Sequence, residues 1–374
     1  MAGATLASIT GTLQALPGLL VLAPAAIGLR GNVFSALGNR LSTAVHLGTF
    51  SFSLRRDSVF AQNVAASMAL TLQLSLLMAL GAGALVLGLD ISDSPAVIWK
   101  LALVSILGGT LASLVVLGAT VGLTLAAVRY GWDLDNLVAP TVSTLGDVLT
   151  IPALWLAAQL VDIRVVSPVL SAVLIAGTIV VGILTWRTRL DALRRIVRES
   201  APVLVLAAGL SSLAGVVLEK RLEIFQQHEA LLVLQPAFVS SAGALGGIMA
   251  ARLATAFQVG TLDPDPVPGR GSRQLALLVL VLAAPVAVYN AVGSELTAAL
   301  MGRSGPGLVP LITVSLIAGA FVTLFVVAVA YYSTVVATRA GLDPDNYGTP
   351  VVTSSVDFVG AMTLIIVVLI LGIA

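Results

Sequence analysis

Cysteine is absent from the sequence, which excludes disulfides, thiolate metal centres and soft-metal ligation. Histidine occurs only twice, as His46 and His228, each near the end of an apolar stretch. No nucleophile stands beside a base, so the chain carries no catalytic constellation, and neither enzymatic activity nor a resident cofactor is expected. Charge is scarce as well. Only 10% of residues are Asp, Glu, Lys or Arg, and the net charge is +1. The arginines fall at segment ends rather than along a face, so nucleic acid is not an expected partner. The first forty residues lack a basic stretch, a short apolar core and a small-residue cleavage site in succession, so no signal peptide is expected. Long polar stretches are also missing: the longest, Arg187 to Ser200 and Thr261 to Ser272, are too short for a soluble domain.

What remains is apolar. Hydrophobic residues make up 58% of the chain and the mean hydropathy is +1.06, which places it among all-α polytopic membrane proteins embedded in a lipid bilayer. A spanning helix needs about 20 mainly apolar residues, and ten segments qualify. The first runs from Leu13 to Val45 with an interruption expected at GLRGN. Val64 to Leu89, Ala96 to Val128, Leu137 to Val161 and Val165 to Trp186 follow. The stretch RTRLDALRRIVRES then reads as a cytoplasmic amphipathic link. The rest are Ala201 to Leu218, Leu231 to Val259, Leu275 to Leu300, Leu308 to Val336 and Tyr347 to Ile373.

Two blocks recur in the same order. DLDNLVAPTVSTLGD, ending at Asp147, matches DPDNYGTPVVTSSVD, ending at Asp357, at an offset of 210. LAPAAIGLRGNVFSALGNRLSTA matches LQPAFVSSAGALGGIMAARLATA at an offset of 212, pairing Pro24 with Pro236, Gly31 with Gly243 and Arg40 with Arg252. The chain is therefore a duplication. Residues 1–163 are expected to form a first repeat lacking its first helix, 164–200 a linking helix and basic linker, and 201–374 the second repeat. Six crossings separate the Pro24 and Pro236 segments. An even number makes the repeats parallel, related by a pseudo-two-fold axis along the membrane normal. Arginine concentrates after the odd-numbered crossings, so that side is expected to be cytoplasmic and both termini extracytoplasmic in a plasma or inner membrane.

Asp147 and Asp357 lie near the middle of apolar segments at matching places in the two repeats. A carboxylate in hydrocarbon costs roughly 2.5–3.5 kcal/mol even on lenient scales, so it normally faces a partner, a cavity or an ion path. A pair suits a divalent cation. Magnesium takes oxygen ligands in octahedral geometry and sheds water reluctantly, and one or two carboxylates commonly hold it through its hydration shell. Ser143, Thr144, Thr353 and Ser354 could offer further oxygens, and Pro140 and Pro350 would free backbone carbonyls nearby. The alternatives are manganese, cobalt or another divalent ion on the same ligands, or a non-transporting sensor or scaffold in which the carboxylates hold helices together. The DxDN aspartates Asp133, Asp135, Asp343 and Asp345 read as helix N-caps or as a vestibule at the cytoplasmic mouth. Gly28 and Gly31 read either as close-packing glycines or as a pore-lining break. Arg40 and Arg252 are expected to snorkel to the interface, Glu295 to be interfacial, and Asn290 to be a packing amide.

The GLRGN and DxDN blocks, in this order and twice over, resemble the transmembrane region of MgtE-type magnesium transporters. The duplicated solute-carrier-type members are the nearer likeness, with a P-x(3)-GL[KR]GN-x(6)-[SN]RLSTA helix and a DPDN-x(3)-P-x(6)-D helix. The resemblance covers nearly the whole chain. It implies that the Asp of the second block binds hydrated magnesium, as transported substrate, at the centre of a pore formed by two copies of the domain. Carried over residue by residue, it assigns Asp147, Asp357 and Asn32 to the metal, in a monomer that mimics a dimer; Ser143, Thr353, Asp135 and Asp345 are further candidates on the reading of the residues themselves. Two departures stand out. Ala244 occupies the place of Asn32 in the second repeat, and the soluble sensing modules of the bacterial proteins are missing from this sequence.

Overall fold

In hydrocarbon no water competes for backbone N–H and C=O groups, so an apolar chain must satisfy them within its own helices. The computed structural model of the chain is accordingly built of α-helices joined by short connections among the described residues. It describes all residues except 1, 47–49, 133, 162, 164–165, 223–224, 226–227, 304, 343 and 374, and the side chains of 2, 10, 43, 46, 134–140, 143, 258–259, 344–347 and 349 are not described either. Two short helices, α1 (Ala2–Ser8) and α2 (Thr10–Ala15), precede α3 (Leu19–His46), α4 (Val59–Gly88), α5 (Ala96–Tyr130), α6 (Leu134–Ala158), α7 (Val166–Arg187) and α8 (Asp191–Glu219). They are followed by α9 (Glu229–Val259), α10 (Arg270–Leu300), α11 (Leu308–Arg339) and α12 (Pro344–Ile370). Among the described residues nine helices are long and apolar enough to cross a bilayer. The tenth expected crossing, α6, is a helix of 25 residues, and the part of it whose side chains are described without a gap, Thr144–Ala158, is apolar.

Helix ends follow local chemistry. Ser58 caps α4 by accepting from the Ala61 amide, as N-cap hydroxyls do. Gly131 and Gly260 end α5 and α9 at φ 68° and 74°, conformations that cost a side-chain-free residue little. Two expectations need correction. α3 runs unbroken through GLRGN, with Pro24 inside it, because in hydrocarbon the backbone has no water to turn to and stays bonded within the helix. The basic stretch after Arg187 is no separate link: only 188–190 lie outside helix, and from Asp191 on it forms the first turns of α8. Pro140 and Pro350 lie inside α6 and α12, on the N-terminal side of Asp147 and Asp357.

The chain forms two compact units, one of Gly11–Ser212 and the other of Met1–Thr10 with Leu213–Ala374. Inside the first, α3 packs on α4, α5 and α6, α5 packs on α4 and α6, and α7 lies against α4 and α5. Inside the second, α9 packs on α10, α11 and α12, α11 packs on α10 and α12, and α1 lies against α9. The two four-helix cores thus share one packing scheme. They even share hydrogen bonds. Ser105 Oγ donates to the Ser75 carbonyl at 2.7 Å in the first unit and Ser315 Oγ to the Ala287 carbonyl at 2.8 Å in the second. These partners are offset by 210 and 212, the spacings of the two sequence blocks. The molecule is an all-α, multi-spanning membrane protein with an internal repeat.

Glycines set how closely helices approach. A Cβ on Gly108 of α5 would sit 2.8 Å from the Ala153 carbonyl oxygen and 2.9 Å from Leu154 Cα, both backbone atoms of α6. Gly118 and Gly122 on the same helix face open space. Gly108→Ala is therefore expected to destabilise the protein by about 1–3 kcal/mol through overpacking. Gly122→Ala should be neutral or stabilising by up to about 1 kcal/mol. Thermal unfolding in detergent separates the two; equal melting temperatures for both variants would contradict this account of the α5–α6 contact.

Candidate functional site

Asp147 falls near the middle of α6 and Asp357 near the middle of α12, and both side chains are half-buried. In each unit the carboxylate helix packs against the helix carrying the first sequence block. On α6, Gly146 meets α3 at the GLRGN motif: a Cβ there would lie 3.4 Å from both Arg30 Cβ and the Gly31 amide nitrogen. Asp147 follows directly on this contact, and Asn32, half-buried, follows Gly31. On α9, a Cβ on Gly243 would lie 3.6 Å from the Thr353 methyl group of α12. Thr353, whose hydroxyl donates to the Pro350 carbonyl at 3.3 Å, stands one turn before Asp357. Ala244, the counterpart of Asn32, is exposed.

Of the other expected oxygen donors, Ser354 is buried and Thr144 exposed. Asp133 and Asp343 lie outside the described residues, and so do the side chains of Asp135, Asp345 and Ser143. Among the described residues no group of three or more His, Cys, Asp or Glu side chains is assembled that could hold a metal ion. Each unit contributes one mid-helix carboxylate instead.

The residue that organises the first unit is one that sequence reasoning passed over. Arg30 is fully buried, donates to the Ala26 carbonyl and reaches Ser75 Oγ at 3.4 Å. Its Nε has no hydrogen-bond partner among the described residues. Gly109 of α5 leaves the space that its guanidinium fills, since a Cβ there would collide with Nη2. The second repeat solves the same packing problem differently. Its counterparts of Ala26 and Arg30 are Phe238 and Ala242, and the Phe238 ring lies 3.8 Å from a Cβ placed on Gly319, the counterpart of Gly109. The large side chain has moved back one turn. Where α6 has Gly146 opposite the arginine, α12 has the buried Val356.

Other polar groups tie helices together. Arg40 does not snorkel freely: its Nε donates to Asn63 Oδ1 at 2.8 Å and Nη2 to Ser67 Oγ at 3.4 Å, joining α3 to α4, whereas Arg252 is exposed. Asn290 donates to Ser241 Oγ at 2.7 Å, linking α10 to α9. The Glu295 carboxylate lies against Gly305, in the segment whose Arg303 pairs with Glu229 at 2.8 Å. These contacts place Asn290 and Glu295 in helix and loop packing.

The exchange between repeats generates a test. Arg30→Ala should leave a cavity and cost about 2–5 kcal/mol, the range for large-to-small changes in cores. Adding Ala26→Phe rebuilds the second repeat's arrangement and should recover at least half of the lost stability. Melting curves of the parent, single and double variants read this directly. A double variant no more stable than Arg30→Ala would show that the two repeats do not fill the same space.

Comparisons with known proteins bear on the whole arrangement. The family model MgtE, described as a divalent cation transporter, matches residues 23–157 and 235–367, one match for each four-helix core. Solute carrier family 41 member 3 of Rattus norvegicus is 24% identical over 368 residues, covering 92% of this chain and 78% of that protein. Solute carrier family 41 member 2 of Gallus gallus and of Homo sapiens are each 24% identical, covering 92% of this chain and 63% of their own length. No solved structure matches the chain.

Proposed function

This chain belongs to the MgtE family of divalent cation transporters, and on that premise we propose that it carries magnesium across a membrane along a path that takes Asp147 from one repeat and Asp357 from the other. The observation that carries the proposal is the matched placement of the two carboxylates, each mid-helix and each next to the contact between its unit's two motif helices. The family's function is transport of divalent cations, not catalysis.

The chemistry follows from desolvation. An isolated carboxylate is expensive in hydrocarbon, and two that approach one another repel. A divalent ion removes both costs, and a magnesium ion that keeps most of its water can be held by two carboxylates through that water. Asn32, Ser143 and Thr353 are placed by the motifs to offer neutral oxygens to the hydration shell, with Asp135 and Asp345 nearer the mouth. The inequality of Asn32 and Ala244 makes the first repeat the richer in such oxygens. Because six crossings separate the repeats, they run in parallel, and a pseudo-two-fold axis along the membrane normal would set both carboxylates at one depth. One chain then supplies what two copies of the domain would, with 1–163 and 201–374 as the repeats and 164–200 between them. The Arg-rich ends face the cytoplasm of a plasma or inner membrane by the positive-inside rule, with both termini outside.

Flux into proteoliposomes tests the proposal. The parent should take up magnesium, and trials with manganese and cobalt, with and without sodium and proton gradients, define selectivity and coupling. Asp147→Asn and Asp357→Asn keep side-chain shape while deleting charge. Both should fold, and each should lower divalent affinity by at least about tenfold, which corresponds to about 1.4 kcal/mol. Calorimetry on the purified protein reads that loss without reference to flux. Retained binding and transport in the double Asn variant would leave the aspartates as structural groups only.

The mouth of the path makes a separate prediction. Within this chain, the acidic helix ends are the groups through which a response to internal magnesium would act. Replacing Asp133, Asp135, Asp343 and Asp345 together by Asn should change the dependence of flux on internal magnesium without unfolding the protein. Unchanged flux at every internal concentration would mean that they are caps and nothing more.

A further inference from the structure

The two repeats differ in what covers them. In the first unit, α7 lies along α4 and α5: Ser171 Oγ donates to the Trp99 carbonyl at 3.4 Å, and Gly182 allows the Gln73 stem to approach. Beyond α7 the start of α8 continues the cover, the Leu193 amide donating to Gln62 Oε1 at 3.3 Å. Against the corresponding pair in the second unit, α10 and α11, the short α1 touches α10, and no helix as long as α7 lies along both among the described residues. Leu277, Leu324 and Tyr332 are accordingly 61%, 57% and 51% exposed. Between α10 and α11 lies a groove of about 440 Å³ walled by Leu277, Leu280, Leu324, Val327 and Tyr331, within the size range of about 300–1,000 Å³ typical of small-molecule sites.

The mouth of this groove is basic and built. Arg273 lines it and donates through Nε to the Pro268 carbonyl at 2.8 Å. Its two η nitrogens have no partner among the described residues. Arg339 donates to the Pro264 carbonyl at 2.6 Å and lies 4.0 Å from Asp265, while Tyr331 donates to the Asp265 carbonyl at 2.7 Å. The 263–268 loop is thereby clamped to both helices, and the exposed Arg270 opens the next turn. This end of the helices is the Arg-rich, cytoplasmic-facing one by the charge rule, where the leaflet is anionic. Tyr331 and Tyr332 stand at the level where aromatic residues mark a membrane interface.

We propose that the α10–α11 groove binds one anionic phospholipid, its acyl chain lying between the helices and its phosphate held by Arg273 and Arg270. The lipid completes in the second repeat the surface that α7 completes in the first. An apolar wall ending in guanidinium groups matches a lipid whose own charge is negative; a zwitterionic lipid fits the wall and gains less at the mouth. The site is separate from the cation path, so either proposal can fail without the other.

Native mass spectrometry of the full chain, delipidated in detergent and then given phosphatidylglycerol or phosphatidylcholine, tests this. The parent should retain phosphatidylglycerol at least about fivefold more than phosphatidylcholine, the preference that one basic residue confers near a membrane surface. Arg273→Gln should remove that preference and leave phosphatidylcholine retention unchanged. Arg189→Gln, at an exposed arginine of the same Arg-rich side in the first unit, should preserve it. Leu280→Trp, which fills the groove, should lower retention of both lipids, with the melting temperature checking its fold. Equal retention of the two lipids by the parent, equal losses in Arg273→Gln and Arg189→Gln, displacement by soluble glycerol phosphate, or a protein dimer that forms on the same face and excludes the lipid would each overturn the proposal.

Discussion

A guanidinium enclosed among four helices constrains the first unit more than any other group. Arginine stays charged, and inside the protein its donors need acceptors while its bulk needs room. The chain meets both demands by removing side chains around it: Gly109 on α5 gives space to the head and Gly146 on α6 to the stem. The helices then come close at one level, and that level carries Asn32 and Asp147. The second repeat keeps the level and changes the means, filling the space with the Phe238 ring from one turn earlier and facing Ala242 with Val356. Two unlike sets of side chains support the same helix arrangement because cores tolerate exchanges that keep volume and pattern. The carboxylate is not exchanged; aspartate stands at the matched place in both repeats.

That contrast separates packing from chemistry within a single molecule. A buried hydrogen bond such as Ser105 to Ser75, repeated as Ser315 to Ala287, needs only a hydroxyl at one position, since its acceptor is backbone that any residue supplies. Ser75 can therefore become Ala287 at no loss to the ladder. A mid-helix aspartate has no such substitute. In a bilayer, hydrogen bonds between helices contribute about 0.6 kcal/mol on average, less than the cost of a carboxylate there, so helix linkage alone is a weak reason to keep two.

Helix number, helix type and the duplication were legible in the sequence, because apolar runs of the required length and a constant offset are properties of the letters themselves. The places of Asp147 and Asp357 were legible for the same reason. Continuity of α3 through GLRGN was not: glycine reads as a breaker by propensity, but in hydrocarbon no water competes for the backbone, and the missing Cβ of Gly146 leaves α6 room against Arg30 and Gly31. The basic residues after Asp191 read as a link since their charge hides a helix that continues into an apolar span. Arg40 was read as snorkelling, although Asn63 and Ser67, spaced by one helical turn on α4, were the available sign of a polar face to receive it. The role of Arg30 could have been found by setting positions 26 and 30 beside 238 and 242, where large and small residues trade places. Without the depth of each helix, nothing in the letters says that these four positions fill one space.

Divergence of the repeats has an electrostatic consequence. The first repeat carries, at one level, a permanent cation in Arg30, an amide in Asn32 and a carboxylate in Asp147; at the matched level the second carries Ala242, Ala244 and Asp357. A fixed positive charge in a low-dielectric interior acts over a longer range than it would in water. It opposes a second cation placed beside it. On the proposed cation path, Asp357 has no arginine at the equivalent place, whereas the first repeat adds the Asn32 amide to its carboxylate. A homodimer must present two identical half-sites to an ion. A fused chain carries no such constraint, and the move of the large side chain from position 30 in one repeat to position 238 in the other is a change by which the repeats depart from equivalence while each keeps its mid-helix carboxylate.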